Sequence, residues 1–182
     1  MEDRTRRILE TAIQLAERDG YEAVRLRDVA AQADVALGTV YRRFHSKEEI
    51  LVGALEVEME RLGQHIMDNP IHGETPLLRL GGVFEVMTRR LVEKPNLARA
   101  LLRAVASGVP ESAQRVAQFH ELSTQFLTAV MFDLEGSDID KACIASLLQD
   151  IWFAKLVGWA AGLQDVDSVL EQMEDATRRL LR

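Results

Sequence analysis

Between Leu37 and Lys47 the chain reads Leu37-Gly38-Thr39-Val40-Tyr41-Arg42-Arg43-Phe44-His45-Ser46-Lys47. This stretch holds three cations, Arg42, Arg43 and Lys47, and no acid. If it is a helix with Val40 and Phe44 turned inward, its outward face carries Gly38, Thr39, Tyr41, Arg42 and Arg43, with Leu37 at its start. Guanidinium groups bond guanine edges and phosphate oxygens, and hydroxyls bond both, so the chemistry implied is recognition in a DNA major groove. Lys47 opens the following helix, where an ammonium is well placed for a backbone phosphate. Arg27, on the preceding helix, is a candidate for a further phosphate contact. Arg4 and Arg7 could approach the backbone or the minor groove, with plain solvent exposure as the simpler reading.

Such a face has to be held by a second short helix crossing behind it. The periodicity predicts helices over Leu26–Ala33 and Leu37–Phe44, joined by Asp34-Val35-Ala36. Ala30 supplies the small residue at the crossing, and Asp34 tolerates left-handed backbone in the tight turn. Val29, Val35, Val40 and Phe44 are the apolar anchors beneath. The competing reading is a helical hairpin with a basic surface. A first helix from Asp3 to Arg18 carries the stripe Ile8, Ala12, Leu15 and Ala16 and stops at Gly20. Ser46 with Glu49 reads as a capping box opening a helix to Ile66. Thr75-Pro76 reads as an N-cap followed by proline, for a helix to Glu93. Further helices are expected to Ala106, over Glu111–Leu134, over Ile139–Ala161 and over Val166–Leu181.

At 182 residues the chain suits one domain or two small ones. A hydrophobic share of 47% and a charged share of 28% are ordinary for a soluble globular protein. The single cysteine, Cys143, leaves no internal disulfide framework and no Cys-rich zinc site. The start, Met1-Glu2-Asp3-Arg4, has no apolar core of a secretory signal, and the apolar run Leu156–Leu163 is far short of the ~20 residues of a membrane helix. A cytoplasmic protein with no membrane partner is expected. The net charge of −7 argues against a coat that grips nucleic acid everywhere, but it divides unevenly. Residues 1–47 balance at +1 and residues 48–182 at −8, so the acidity belongs to the second part.

Enzyme readings find little support. A di-iron bundle needs Glu-x-x-His pairs, whereas Arg42, Leu62, Asn69 and Ala117 stand three before His45, His65, His72 and His120. No glycine-rich phosphate loop or serine elbow is present, and Cys143 reads as a structural thiol. No cofactor and no metal is expected. A helical adaptor that binds only protein would not need the constellation from Thr39 to Lys47.

The segment Ile8–Leu55 closely resembles the DNA-binding domain of TetR-family transcriptional regulators. The resemblance is carried by Ile8-Leu9-x-x-Ala12, Gly20-Tyr21, Val29-Ala30-x-x-Ala33 and the run from Gly38 to Leu51. It implies an all-α fold of about nine helices. Residues 1–47 would form a three-helix DNA-binding domain with a helix-turn-helix, and residues 48–182 a bundle for ligand binding and dimerisation. Tyr41 and Lys47 match family phosphate contacts, and Thr39 a position near base or phosphate. Departures are Asp34 where the family commonly has glycine, and Ala36 where a Ser or Thr commonly caps the reading helix. Arg43 stands where an aromatic or His is frequent, and His45 where Pro or Gly is frequent.

The second part carries the stripe Leu80, Phe84, Met87 and Leu91 and the stripe Phe119, Leu122, Phe126 and Val130, with Trp152 on a later helix. Such stripes usually form core. The resemblance implies that some of these residues line a ligand cavity, and Phe84, Met87, Leu91, Phe119, Leu122, Phe126 and Trp152 are the candidates. With few charges on these stripes, an apolar effector is favoured. The resemblance also implies a homodimer through the last two helices, with Phe153, Leu156, Val157, Ala160, Leu170, Met173, Ala176 and Leu180 as candidates. Its partners would then be a double-stranded, palindromic operator and a small molecule that releases a repressor from it. Gly20-Tyr21-Glu22-Ala23-Val24, Ala33-Asp34-Val35-Ala36 and Asp150-Ile151-Trp152 are similar to the TetR-family repressors of sterol catabolism.

Overall fold

The computed structural model describes residues 3–182; Met1 and Glu2, read above as part of a charged start, lie outside the described residues. The described residues form nine α-helices and one 3₁₀ turn, with no strand. The helices are α1 (Asp3–Asp19), α2 (Leu26–Gln32), α3 (Leu37–Tyr41), α4 (Lys47–Asp68), α5 (Pro76–Val92), α6 (Pro95–Ala106), α7 (Pro110–Val130), α8 (Asp138–Ala160) and α9 (Val166–Leu180). The 3₁₀ turn, Tyr21–Ala23, sits where the sequence suggested only a break after Gly20. Gly20 stops α1 as expected, with φ of 78° and its N–H on the Ala16 carbonyl at 2.9 Å.

Local chemistry explains most boundaries. The Thr75 hydroxyl caps α5 by accepting the Leu78 N–H. α3 ends at Tyr41 rather than Phe44, because the Arg43 and Phe44 N–H groups both turn onto the Val40 carbonyl at 2.9 Å. The capping box at α4 is half as expected. The Ser46 hydroxyl accepts the Glu49 N–H at 3.0 Å, but the Glu49 carboxylate accepts the N–H of His45, at 2.7 Å, rather than that of Ser46. A full capping box appears instead at α8, where Ser137 and Asp140 bond reciprocally.

The chain forms two compact units, residues 1–64 with 94–119, and 65–93 with 120–182. This partition differs from a cut after residue 47, because α6 returns to pack on α1. In the first unit, Ile8 and Ala12 of α1, Val29 of α2, Val40 and Phe44 around α3, and Ile50 of α4 are all fully buried. Gly53 lets α4 approach closely: a Cβ there would stand 3.0 Å from the Leu9 side chain and 3.3 Å from that of Phe44. In the second unit, α5 and α8 both pack on α9. Its core includes Leu80 and Phe84 of α5, Leu127 of α7, Leu148 of α8, and Val169 and Met173 of α9.

In the second unit α7 turns a different face inward from the one its apolar stripe suggested. Ser123, Leu127 and Met131 are buried, whereas Leu122 is 61% exposed. The helix is rotated by about one residue, so a serine takes an inward place and a leucine an outward one.

Candidate nucleic-acid interface

The turn between α2 and α3 is built on backbone geometry. Asp34 has φ of 51°, the one non-glycine residue with positive φ among those described. The Val35 N–H then bonds the Ala30 carbonyl at 3.1 Å, and Arg7 of α1 donates to the Asp34 carbonyl at 3.2 Å. Arg7 thus secures the turn, a role sequence reasoning missed because the partner lies 27 residues away. Ala36, the residue before α3, offers no side-chain cap, so the first N–H groups of α3 get no side-chain partner from it.

α3 presents the face its sequence suggested. Val40 is fully buried, Leu37 is 39% exposed and Tyr41 52% exposed, one turn apart on the same side. Gly38 and Arg42 are exposed, and Thr39 and Arg43 half-buried. The Arg42 guanidinium donates to the Thr39 hydroxyl at 3.1 Å, which fixes both groups on the outer surface. Arg27 on α2 is exposed beside Asp28, 3.7 Å away.

Lys47 is half-buried. Its Nζ lies 3.0 Å from a Glu22 carboxylate oxygen and 3.8 Å from the centre of the Tyr21 ring. Arg103 of α6 lies 3.0 Å from the other Glu22 oxygen and 3.9 Å from the same ring centre. The Tyr21 hydroxyl donates to Glu48. Burial, then this hydrogen bond, push the phenol up to about 12. The hydrogen bond from Lys47 holds the Glu22 carboxyl below its usual range. For Glu48, burial opposes ionisation, but the bonds from Tyr21, its own backbone N–H and Ser46 outweigh it and keep the carboxyl low.

A second brace reaches the same corner from α7. Arg115 lies 3.5 Å from Glu49 and 3.0 Å from Glu56, with its guanidinium 5.2 Å from the Phe44 ring centre. Glu49 in turn holds the His45 N–H. The end of α3 is thereby tied to α4 and α7 by one nearly buried carboxylate.

Of the candidates for an effector cavity, the second unit brings Phe84 and Trp152 together, ring centres 6.1 Å apart and tilted by 50°. The Trp152 indole N–H donates to the fully buried Thr88 hydroxyl at 2.9 Å, a partner the apolar stripes gave no hint of. Met87 is buried in this unit, and Leu91 and Phe126 are half-buried. Phe119, also half-buried, belongs to the first unit. Leu122 does not line the interior, because α7 turns it outward.

The dimer candidates divide in the same way. Leu156 and Met173 are each 1% exposed within their own unit, so they hold that unit together and do not face outward. Val157 is 41% exposed, while Phe153, Ala160, Leu170, Ala176 and Leu180 are half-buried. The outward line of α8 runs through Ile139, Cys143, Leu147, Asp150, Ala154 and Val157, all exposed and mostly apolar. Between α8 and α9 lies an open groove of about 380 Å³, bordered by Ile151, Lys155, Glu171, Asp175 and Arg179. No cluster of metal-binding side chains occurs among the described residues, and none of their helices is long and apolar enough to cross a membrane.

Known proteins share both the sequence and this arrangement. A family model for bacterial regulatory proteins of the tetR family matches residues 8–54. A model for the tetracyclin repressor-like C-terminal domain matches residues 73–180. The HTH-type transcriptional repressor KstR of Rhodococcus jostii is 35% identical over 179 residues, 98% of this chain and 83% of that protein. A TetR transcriptional regulator from Rhodococcus sp. RHA1 has the same fold, with a TM-score of 0.88 at 24% identity, over 97% of this chain and 94% of that one. FadR of Thermus thermophilus, a TetR-family repressor solved with lauroyl-CoA, aligns with a TM-score of 0.76 at 21% identity, over 97% of this chain and 92% of that one. With the turn, the reading helix and the all-helical architecture matched by models and relatives along nearly its whole length, the chain belongs to the tetR family of bacterial regulatory proteins.

Proposed function

We propose that this transcriptional regulator is a homodimeric repressor that leaves a palindromic operator when a largely apolar small molecule binds. The observation that carries this reading is the acid-free outer face of α3, with Leu37 and Tyr41 exposed and Arg42 and Thr39 braced together. On DNA, Thr39, Arg42 and Arg43 would meet base edges and nearby phosphates, and Leu37 an apolar thymine methyl. Gly38 admits close approach of the backbone, and Tyr41, Lys47 and Arg27 contact phosphates.

One such helix reads a half-site, and two-fold symmetry places a second about 34 Å away, one turn of the duplex. The exposed apolar line of α8 from Ile139 to Val157 supports a self-complementary dimer face. Residues 1–47 serve as the reading head and residues 48–182 as the part that binds effector and partner. Within the latter, Phe84, Met87, Leu91, Phe126 and Trp152 supply an adaptable apolar surface, and the Thr88–Trp152 pair a polar one. The effector would be a sterol-derived acid or its coenzyme A thioester. The motif similarity to the repressors of sterol catabolism supports the sterol part of that reading, and the lauroyl-CoA in the structure of the FadR fold-mate supports a coenzyme A thioester. The effector acts by binding one spacing of the heads better than the other. The protein works in the cytoplasm and needs no cofactor or catalytic step.

The test is a gel shift on the promoter region of the chain's own gene and its neighbours. Tyr41→Ala with Lys47→Ala is expected to lower operator affinity at least tenfold, and the wild-type complex to weaken steeply with salt. Unchanged affinity in the double variant would sink the contact assignment. Release by a sterol-acid thioester, but not by free coenzyme A, is the expected outcome for the effector.

A further inference from the structure

We propose that Glu22 is an internal stand-in for a DNA phosphate, and that Arg103 is the positioning residue that sets how firmly Glu22 holds Lys47. The proposal rests on the reading of Lys47 as a phosphate contact. Lys47 is engaged by both an acid and an aromatic face, with Glu22 at 3.0 Å and the Tyr21 ring at 3.8 Å. Its side chain is only 25% exposed, whereas that of Glu22 is 69% exposed. A phosphate that approaches the ammonium competes with Glu22 for its charge and its donors.

Arg103 changes the terms of that exchange. It sits 3.0 Å from the second Glu22 oxygen and 3.9 Å from the Tyr21 ring centre, so one carboxylate is shared by two cations. The hydrogen bond from Tyr21 to Glu48 fixes the ring against which both cations lie. When Lys47 turns to a phosphate, Arg103 still neutralises Glu22, and no bare carboxylate is left near the DNA backbone. Without Arg103, Glu22 has Lys47 as its main partner and competes harder with the phosphate. α6 thereby acts on operator affinity through a three-charge relay, Arg103 to Glu22 to Lys47, without touching DNA.

Simple loss of a nearby charge predicts something different, and a double-mutant cycle separates the two. Operator affinity is measured by fluorescence anisotropy in 0.15 M salt, where the Debye length is about 8 Å and distant charges count little. Exposed pairs of this kind contribute up to about 1 kcal/mol, which corresponds to roughly two- to fivefold in affinity. Glu22→Gln is expected to tighten binding by about that factor, and Arg103→Gln to weaken it by about that factor. In the Glu22→Gln background, Arg103→Gln is expected to have no effect. In the Lys47→Ala background, Glu22→Gln is expected to lose its effect. Additive effects in either background would overturn the relay and leave only general charge. Lys47→Ala alone tests the underlying reading: unchanged affinity there removes the phosphate contact, and the relay with it. Thermal denaturation of each variant confirms that it is folded.

Discussion

Replacing Asp34 by glycine and by alanine separates the geometry of the reading turn from its charge. Asp34 holds φ of 51°, and its carbonyl accepts from Arg7 at 3.2 Å. Left-handed backbone costs a residue with a Cβ roughly 1–2 kcal/mol, and aspartate relieves part of it by local hydrogen bonding. Alanine has no such relief. Glycine has no steric cost but gains unfolded-chain entropy worth about 0.4–1 kcal/mol against it. The difference leaves Asp34→Gly more stable than Asp34→Ala by about 1 kcal/mol, or about 3 °C in Tm for a chain of this size. Both variants lose the same carboxylate and keep the same carbonyl, so charge cancels in the comparison. Circular-dichroism melts at neutral pH give the stability order, and anisotropy on the operator gives the functional one. Tighter binding by Asp34→Gly than by Asp34→Ala shows that the turn sets the angle of α3. An alanine variant as stable as the glycine one would refute the claim that left-handed strain resides at this residue.

Two further predictions concern hydrogen-bonded polar groups, one buried and one half-buried. Thr88→Val leaves the Trp152 indole N–H without its partner and is expected to cost about 1–3 kcal/mol in urea denaturation, with Thr88→Ser costing clearly less. A larger loss in Thr88→Ser than in Thr88→Val would mean that the threonine methyl, not the bond, matters. Tyr21 is raised in the folded state, so its contribution to stability is fully present below about pH 10 and is lost as pH rises through about 12. Absorbance titration at alkaline pH should show a late tyrosine phase near 12 that Tyr21→Phe abolishes; a titration unchanged by Tyr21→Phe would contradict the half-buried hydrogen bond to Glu48.

Where an element's signal is local, the sequence carried it. Gly20 ends α1, Thr75 caps α5 and Asp34 takes the left-handed turn, because each depends on the conformational preferences of one or two neighbouring residues. The exposed face around α3 was legible for the same reason: Val40 and Phe44 had to be buried, which left Tyr41 and Arg42 outside. The half-formed capping box at Ser46 shows the limit of local rules, since the Glu49 carboxylate was drawn to the His45 N–H and lies within reach of the guanidinium of Arg115, far along the chain.

The sequence alone determined an all-helical chain with a cation-rich, acid-free stretch from Leu37 to Lys47 and an acidic remainder, because periodicity and charge are properties of the chain itself. Tertiary packing decided which side of a helix counts as inside. On α7 the apolar pattern pointed Leu122 inward, yet in the second unit Ser123 and Leu127 of that helix, and Met131 just after it, are buried instead. A buried serine hides a core face from any reading of hydrophobic period. On α8 and α9, Leu156 and Met173 looked the same as Val157 until packing buried the first two and left the third in the open. Packing also placed Arg103 and Lys47 on one carboxylate, groups from α6, the 3₁₀ turn and α4. Charges this far apart in sequence meet only when the core beneath them has formed, so no spacing rule could have paired them.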